Sequence, residues 1–247
     1  MDNVPVELLD VRNMVKVLES VGVRVATSTS TTGVGSVSSS EEVVGAGSRL
    51  ELDASSLTTC TPDPSYVKSL RASFLVAGPL VSRLGQARVA LPGGCRIGTR
   101  PVDLHLDALR CLGARVREVE GESTQALVEG GGNERAIRNN AHHRYVQIDL
   151  PRGRSRLVGC AIRLRFPSVG ATETAIMAAA FAEGRTTIEN AAMEPEVEEL
   201  ARFLNNVMGT QIRGAGSSTI NITGVGREGA GGTSSSSDGA HEIIPDR

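Results

Sequence analysis

The sequence predicts an α/β fold built from a repeated unit of helix, strand, loop and helix, in which a glycine closes each helix. In one copy the closing glycines are Gly85 and Gly113, and in the next they are Gly184 and Gly209. Residues 3–22 match the second half of such a unit, which predicts that the first unit is truncated. Hydrophobic residues make up 40% of the chain and aromatic residues 2%. This is enough for a core, which must consist of Val, Leu, Ile and Ala.

Apolar residues at helical spacing predict the helices in order. The first covers residues 11–21, with Asp10 as its expected cap, and ends at Gly22. The second covers residues 66–84 and is expected to kink or break at Gly78-Pro79, because proline removes a backbone donor. The later helices cover residues 102–112, 172–182 and 197–207.

Alternating or β-branched runs predict the strands. Residues 23–26 and 50–57 are predicted to pair as a hairpin across a Ser/Thr/Gly-rich tract. The remaining strands are predicted at residues 87–91, 114–119, 145–150, 161–164, 186–189, 211 and 219–223.

Low-complexity stretches divide the chain. Two inserts, near 27–40 and 121–140, hold too few apolar groups to offset the entropy of ordering them. We assign residues 1–225 to one incomplete domain and residues 226–247 to a Gly/Ser-rich tail that leads to an absent second domain.

Composition excludes several classes of function. A formal net charge of -2 and a pI near 6.1 predict no nucleic-acid partner. No apolar run approaches the length of a membrane span, so no membrane partner is expected. The cysteines, at positions 60, 95, 111 and 160, form no Cys-x-x-Cys pair, and His142-His143 has no companion ligand, so we expect no metal and no cofactor. We expect a cytoplasmic protein, or a plastid one if the chain is a truncated eukaryotic gene model.

Chemically reactive residues concentrate in the stretch 91–105, where glycines let a loop fold closely around an anionic ligand. Cys95 lies near Arg96 and Arg100, whose charges favour a thiolate; an ordinary packing cysteine is the alternative. Arg100 precedes Pro101 at a helix start, where anions bind, or it is a solvated loop arginine.

Four segments of the chain resemble one family. They are Gly-Gly-Cys-x-Ile-Gly-x-Arg-Pro-Val-Asp-Leu-His at 93–105, Phe-Pro-Ser-Val-Gly-Ala-Thr-Glu at 166–173, Ile-Glu-Asn-Ala-Ala-Met-Glu-Pro-Glu at 188–196 and Arg-Ala-Ser at 71–73. Together they resemble UDP-N-acetylglucosamine 1-carboxyvinyltransferases, the enolpyruvyl transferases of peptidoglycan precursor synthesis. The resemblance covers most of the chain outside its inserts.

The resemblance implies a domain of three repeated units with helices inside and sheets outside, an inside-out α/β barrel. It also implies transfer of the enolpyruvyl group of phosphoenolpyruvate to the 3-hydroxyl of UDP-N-acetylglucosamine. Cys95, Arg71 and Arg100 match the catalytic positions, and the two arginines match the contacts to phosphoenolpyruvate. The matching nucleotide-sugar contacts are Arg100, Pro101, Val102, Asp103, Leu104, His105, Ser168, Val169 and Gly170.

Other interpretations stay open at this point. Asp103 and His105 could simply cap and decorate the start of their helix without contacting a ligand. Ser168 and Gly170 could likewise only start the alanine-rich helix. The family's Lys-Asn pair and its second-domain residues have no counterpart here, so the isolated chain is expected to be inactive. Alternatives are a non-catalytic remnant that retains nucleotide-sugar binding, and the related 3-phosphoshikimate enolpyruvyl transferase.

Overall fold

The computed structural model describes residues 1–29, 48–91, 102–121 and 143–225. Most of both predicted inserts and the tail at 226–247 lie outside these ranges. The α-helices are α1 Leu9–Ser20, α2 Pro64–Ser69, α3 Ala77–Leu84, α4 Asp103–Cys111, α5 Val169–Ala179 and α6 Pro195–Met208, and a 3-10 helix covers Arg71–Val76. The strands are β1 Arg24–Thr29, β2 Ser48–Asp53, β3 Gln86–Ala90, β4 Arg115–Gly121, β5 His143–Asp149, β6 Ala161–Arg163, β7 Arg185–Glu189, β8 Gln211–Arg213 and β9 Thr219–Thr223.

The strands form three sheets, each from one continuous part of the chain. β1 and β2 pair antiparallel, with Val25 opposite Leu52. The second sheet has the order β3-β5-β4, and both of its pairings are antiparallel. The third has the order β6-β7-β9-β8, in which β6 runs parallel to β7 and the other pairs are antiparallel. The predicted α/β class is confirmed.

The predicted repeat is visible in the sheet order. The strand triplets β3-β5-β4 and β7-β9-β8 have the same order, with α4 and α6 at the same place in the chain between the first and second strands. Gly85 and Gly184 both have positive φ before the first strand of each triplet. One backbone hydrogen bond also recurs, from the Arg88 amide to Cys60 (2.9 Å) and from the Thr187 amide to Cys160 (3.0 Å).

Helix α5 lies at the centre of the helical layer. Seven of its eleven residues are buried, and it packs against the 3-10 helix, α3, α4 and α6. A helix apolar on all sides is one surrounded by protein. The strands of the third sheet bury alternate residues only, which leaves one face outward. Helices therefore lie inside and sheets outside, as the resemblance implies.

The expected break at Gly78-Pro79 is wrong. The chain is interrupted at Leu70, which has extended dihedral angles, and Gly78 and Pro79 lie in the first turn of α3. Proline is tolerated there because first-turn amides have no partner within the helix. A Cβ on Gly78 would lie 3.1 Å from the Thr174 carbonyl oxygen, so this glycine serves close packing of α3 on α5.

Several boundaries also differ from the predictions. Leu8 occupies the N-cap position of α1 without a side-chain cap, so Asp10 lies in the first turn and is not the cap. β1 extends to Thr29, into the tract predicted as an insert, and its partner strand ends at Asp53. Helix α5 begins at Val169, three residues before the predicted start. Within the described ranges, no helix has the length and apolar character needed to cross a membrane.

Candidate active site

The motif segments at 93–105 and 166–173 meet where α4 and α5 begin, next to the 3-10 helix that starts with the Arg-Ala-Ser segment. The imidazole of His105, in the first turn of α4, lies against Gly170 in the first turn of α5: a Cβ on Gly170 would be 2.9 Å from His105 Cε1 and 3.3 Å from Nε2. The ring of Phe74, in the 3-10 helix that begins at Arg71, meets the His105 ring edge-on at 5.5 Å. The fold therefore brings together segments that are about a hundred residues apart in the sequence.

His105 is held in a fixed position. Its Nδ1 lies 2.8 Å from the hydroxyl oxygen of Thr174, which is fully buried on α5. Gly170 and Thr174 are four residues apart, so they share one face of the helix. The buried side chain of Phe74 also packs against the His105 ring. Thr174 and Phe74 are not among the predicted site residues. The four-residue spacing between Gly170 and Thr174 could have indicated that Thr174 faces the same site.

Charged groups surround the same helix starts. Asp103, the first residue of α4, pairs with Arg165, which is also 3.7 Å from Asp107. An anionic residue in a first turn interacts favourably with the helix dipole. No pattern in the sequence marked Arg165, because its partners are about sixty residues away.

Both helix starts have amide groups available for a ligand. Val102 is the N-cap residue of α4 and provides no side-chain cap. Ser168 caps α5 by accepting a hydrogen bond from the Ala171 amide at 3.4 Å, which is near the limit for such a bond. Val169 and Gly170 follow as the first residues of α5, so the expectation that Ser168 and Gly170 start this helix is also met.

The connection that carries Cys95 is the longest of three equivalent connections. In the second and third units a residue just after the first strand donates its amide to a residue at or next to the start of the third strand: Leu91 to Arg144 at 2.9 Å and Ala191 to Ser218 at 3.0 Å. Val4 donates its amide in the same way to Ser48, the first residue of β2, at 2.9 Å. The length of each connection is the number of residues between this donor and the N-cap of the next helix. It is three residues in the first unit (5–7), ten in the second (92–101) and two in the third (192–193). The second unit therefore has the most residues between these two points.

The predicted residues Cys95, Arg100 and Pro101 lie outside the described residues, and for Arg71 only the backbone is described. The flanks of the loop are described. Leu91 and Val102 both pack against the core, and Leu104 is buried within it. The loop therefore connects the end of β3 to the start of α4, where the segments at 93–105 and 166–173 meet.

The third unit has a rigid connection at the equivalent place. Asn190 adopts a left-handed conformation (φ 56°), and its side-chain amide donates to the Leu164 carbonyl at 3.0 Å. The Ala192 amide donates to the hydroxyl of Thr172, a buried residue, at 3.1 Å. These bonds fix residues 190–192 against α5.

One half-buried carboxyl belongs to this region. Burial raises the pKa of Glu173 on α5, and repulsion from Glu196 at the start of α6 raises it further. The folded chain therefore binds this proton more tightly than the unfolded chain does, so ionisation of Glu173 destabilises the fold as pH rises through the raised pKa.

Glu173→Gln is expected to raise the free energy of unfolding at neutral pH, because it removes that buried charge. The gain should shrink as pH falls below the raised pKa, where the parent carboxyl is also neutral. Urea unfolding of both chains from about pH 4 to about pH 8 measures the difference. A difference that stays constant over this range contradicts the assignment.

Among the described residues, no group of three or more His, Cys, Asp or Glu side chains is placed to hold a metal ion. The site described so far consists of two helix starts, one fixed imidazole, an arginine-carboxylate pair and the attachment points of a glycine-rich loop. Such an arrangement suits an anionic, hydrogen-bonding ligand.

The family model for EPSP synthase (3-phosphoshikimate 1-carboxyvinyltransferase) matches residues 2–247. The chain belongs to the EPSP synthase family. Within this family it is 39% identical to UDP-N-acetylglucosamine 1-carboxyvinyltransferase from Prochlorococcus marinus over 247 residues, which are 100% of this chain and 43% of that relative. It is 41% identical to UDP-N-acetylglucosamine 1-carboxyvinyltransferase 2 from Carboxydothermus hydrogenoformans over 242 residues, which are 98% of this chain and 45% of that relative.

This member of the EPSP synthase family therefore spans less than half the length of these curated relatives. Its fold is similar to that of the enolpyruvyl transferase NikO from Streptomyces tendae, with a TM-score of 0.59 and 20% identity. That match covers 89% of this chain and 41% of the other, and it concerns the fold alone. The resemblance to UDP-N-acetylglucosamine 1-carboxyvinyltransferases that the motifs indicate is confirmed.

Proposed function

We propose that this chain is the part of a UDP-N-acetylglucosamine 1-carboxyvinyltransferase that carries the catalytic loop. The enzyme transfers the enolpyruvyl group of phosphoenolpyruvate to the sugar 3-hydroxyl in peptidoglycan precursor synthesis. The observation that carries the proposal is the meeting of His105, Gly170 and the segment after Arg71 at the start of α4, which directly follows the loop with Cys95. The names of the relatives support the same substrates.

The proposed chemistry has two steps. The Cys95 thiol gives a proton to the methylene carbon of phosphoenolpyruvate while the sugar 3-hydroxyl adds to the neighbouring carbon and gives its proton to a carboxylate of the second domain. Phosphate then leaves as the Cys95 thiolate takes a proton from the new methyl group, which restores both the double bond and the thiol. Arg71 and Arg100 hold the phosphate and carboxylate of phosphoenolpyruvate, since a guanidinium binds such groups bidentately.

The nucleotide sugar is assigned to the two helix starts. Residues 100–105 take the uridine, and Ser168, Val169 and Gly170 take the diphosphate and ribose. Thr174 acts as a positioning residue, because its hydroxyl fixes the ring of His105 beside Gly170.

A second part of the enzyme is needed for turnover. The relatives are more than twice as long as the matched region, and we assign residues 1–225 to one incomplete domain whose partner is the second domain of the same enzyme. The isolated chain is therefore expected to bind substrate and not to release phosphate. We place the protein in the cytoplasm.

The expected result of titrating the isolated chain with UDP-N-acetylglucosamine is weak, saturable binding by calorimetry, because only part of the cleft is present. Asp103→Ala should weaken binding at least about tenfold, since it removes a charged contact. Asp107→Ala is the matched control: it lies one turn later on α4 and is near the same arginine, yet it is outside the assigned contacts. Its effect should stay within about twofold.

Three outcomes contradict the proposal. One is no heat from a folded sample under conditions in which an intact relative binds. Another is an equal loss in the Asp103 and Asp107 variants. Tighter binding of 3-phosphoshikimate than of UDP-N-acetylglucosamine would favour the shikimate enzyme instead.

A further inference from the structure

Two adjoining grooves lie at the opposite end of α5 from the candidate active site. They have volumes of about 570 and 430 Å³ and share Gly153, Arg154 and Ser155, in the connection between β5 and β6, as a common wall. Glu183 and Gly184, just after α5, line the first groove. Helix α5 has eleven residues and is therefore roughly 16 Å long, so these grooves are separate from the site at its start.

Arginines dominate this end of the molecule. Three arginines that line the grooves lie in one five-residue stretch of this connection: Arg152, Arg154 and Arg156. Arg115 lies opposite Asp149 at the near end of the second sheet, and the backbone of Arg185 touches Gly159 in the first groove. Arg152, Arg154 and Arg156 define what we call the arginine groove, and Arg115 and Arg185 lie on strands beside it.

Two of the groove's arginines, Arg152 and Arg154, have no ion-pair partner in the described part of the chain. Arg115, Arg152, Arg154 and Arg185 take part in none of its ion pairs. Asp149 lines the second groove but pairs with Arg117 at 2.9 Å.

The backbone adds further donors. Gly153 has a left-handed conformation (φ 82°), within a turn in which the Arg154 amide donates to the Pro151 carbonyl at 3.1 Å. The amides of Gly153 and Ser155 donate to no carbonyl within the described ranges. Backbone amides beside guanidinium groups provide the donors that phosphate oxygens require.

We propose that the arginine groove binds a small, multiply phosphorylated anion at a site separate from the active site. A compact polyphosphate fits better than a single phosphate, because the guanidinium groups are spread over two grooves. It also fits better than nucleic acid, because the chain has a net charge of -2 and would repel a long polyanion beyond the groove.

Two features oppose an anion here. One is the Glu183 carboxylate in the first groove. The other is the C-terminal end of α5, which carries about half a negative charge. Arg152 and Arg154 line the grooves and take part in no ion pair of the described residues, so their two positive charges exceed the negative charge of these two features.

The test uses sodium tripolyphosphate as the probe, titrated into the full chain by calorimetry at low salt. Saturable binding is expected, and the double variant Arg152→Ser/Arg154→Ser should weaken it at least about tenfold. Arg213→Ser is the matched control, because Arg213 is an exposed strand arginine at the far end of β8. Arg100→Ala separates this site from the active site and should leave the groove's binding within about twofold of the parent.

Binding lost in Arg100→Ala and kept in the double variant would overturn the proposal, as would equal losses in the double variant and in Arg213→Ser. A single-stranded oligonucleotide that binds more tightly than tripolyphosphate through the same arginines would also overturn it, in favour of a nucleic-acid surface. Thermal unfolding of each variant checks that the fold is intact.

Discussion

Gly170→Ala is expected to lower the free energy of unfolding by about 1–2 kcal/mol and to weaken UDP-N-acetylglucosamine binding at least about tenfold. Alanine is the better helix former by up to about 1 kcal/mol, so propensity alone predicts the opposite sign. The new Cβ would lie 2.9 Å from His105 Cε1, which forces the ring to move. The ring would then leave its position 2.8 Å from the buried Thr174 hydroxyl.

A double-mutant cycle with His105→Ala isolates this effect. Without the imidazole, no atom of the described residues meets the new Cβ at position 170, and Gly170→Ala should become neutral or stabilising. Thr174→Val keeps the shape of the side chain but removes the hydroxyl, so it reports the hydrogen bond separately. Urea unfolding and calorimetry provide the two readouts. Equal destabilisation with and without His105 contradicts the contact.

The second large effect is expected at Gly159. Gly159→Ala should lower the free energy of unfolding by about 4 kcal/mol or more, which corresponds to a fall in Tm of about 8–16 °C. A Cβ here would lie 2.2 Å from the Arg185 carbonyl oxygen and 2.5 Å from its carbon. The Gly159 amide donates to Glu183 at 2.7 Å, so the chain cannot move away without losing a backbone hydrogen bond.

Gly113→Ala is the control for this prediction. Gly113 has a φ of 91°, and a Cβ there would have no atom within 4 Å among the residues that the structure describes. It therefore reports backbone strain without a clash, at a cost of about 1–2 kcal/mol. Denaturant unfolding followed by circular dichroism suits a chain without Trp. If Gly159→Ala loses no more stability than Gly113→Ala, the predicted clash does not exist.

Local signals account for most of what the sequence predicted. Each predicted strand is present, and so is each predicted helix except that residues 66–84 form two α-helices and a 3-10 helix. Apolar periodicity and helix-ending glycines depend on neighbours a few residues away, so a sequence reveals them. The resemblance also identified His105 and Gly170, which the fold places in contact.

The errors concern residues whose partners are distant in sequence. Gly78-Pro79 resembles a helix break until α5, about a hundred residues later, is seen to pack against Gly78. The bond between His105 and Thr174 spans 69 residues, and the pair of Asp103 with Arg165 spans 62. No local pattern encodes such contacts, because they exist only after the repeats have packed together.

The order of the strands along the chain has a consequence for synthesis on the ribosome. All strands of the first two sheets have been synthesised once the ribosome reaches Asp149. Helix α5, which packs against the helices of the second unit, is complete only at Ala179. At about 5–20 residues per second, translation of the intervening thirty residues takes roughly 2–6 s. During that interval the apolar residues that later contact α5 are exposed to water, and the nascent chain is then most prone to aggregate.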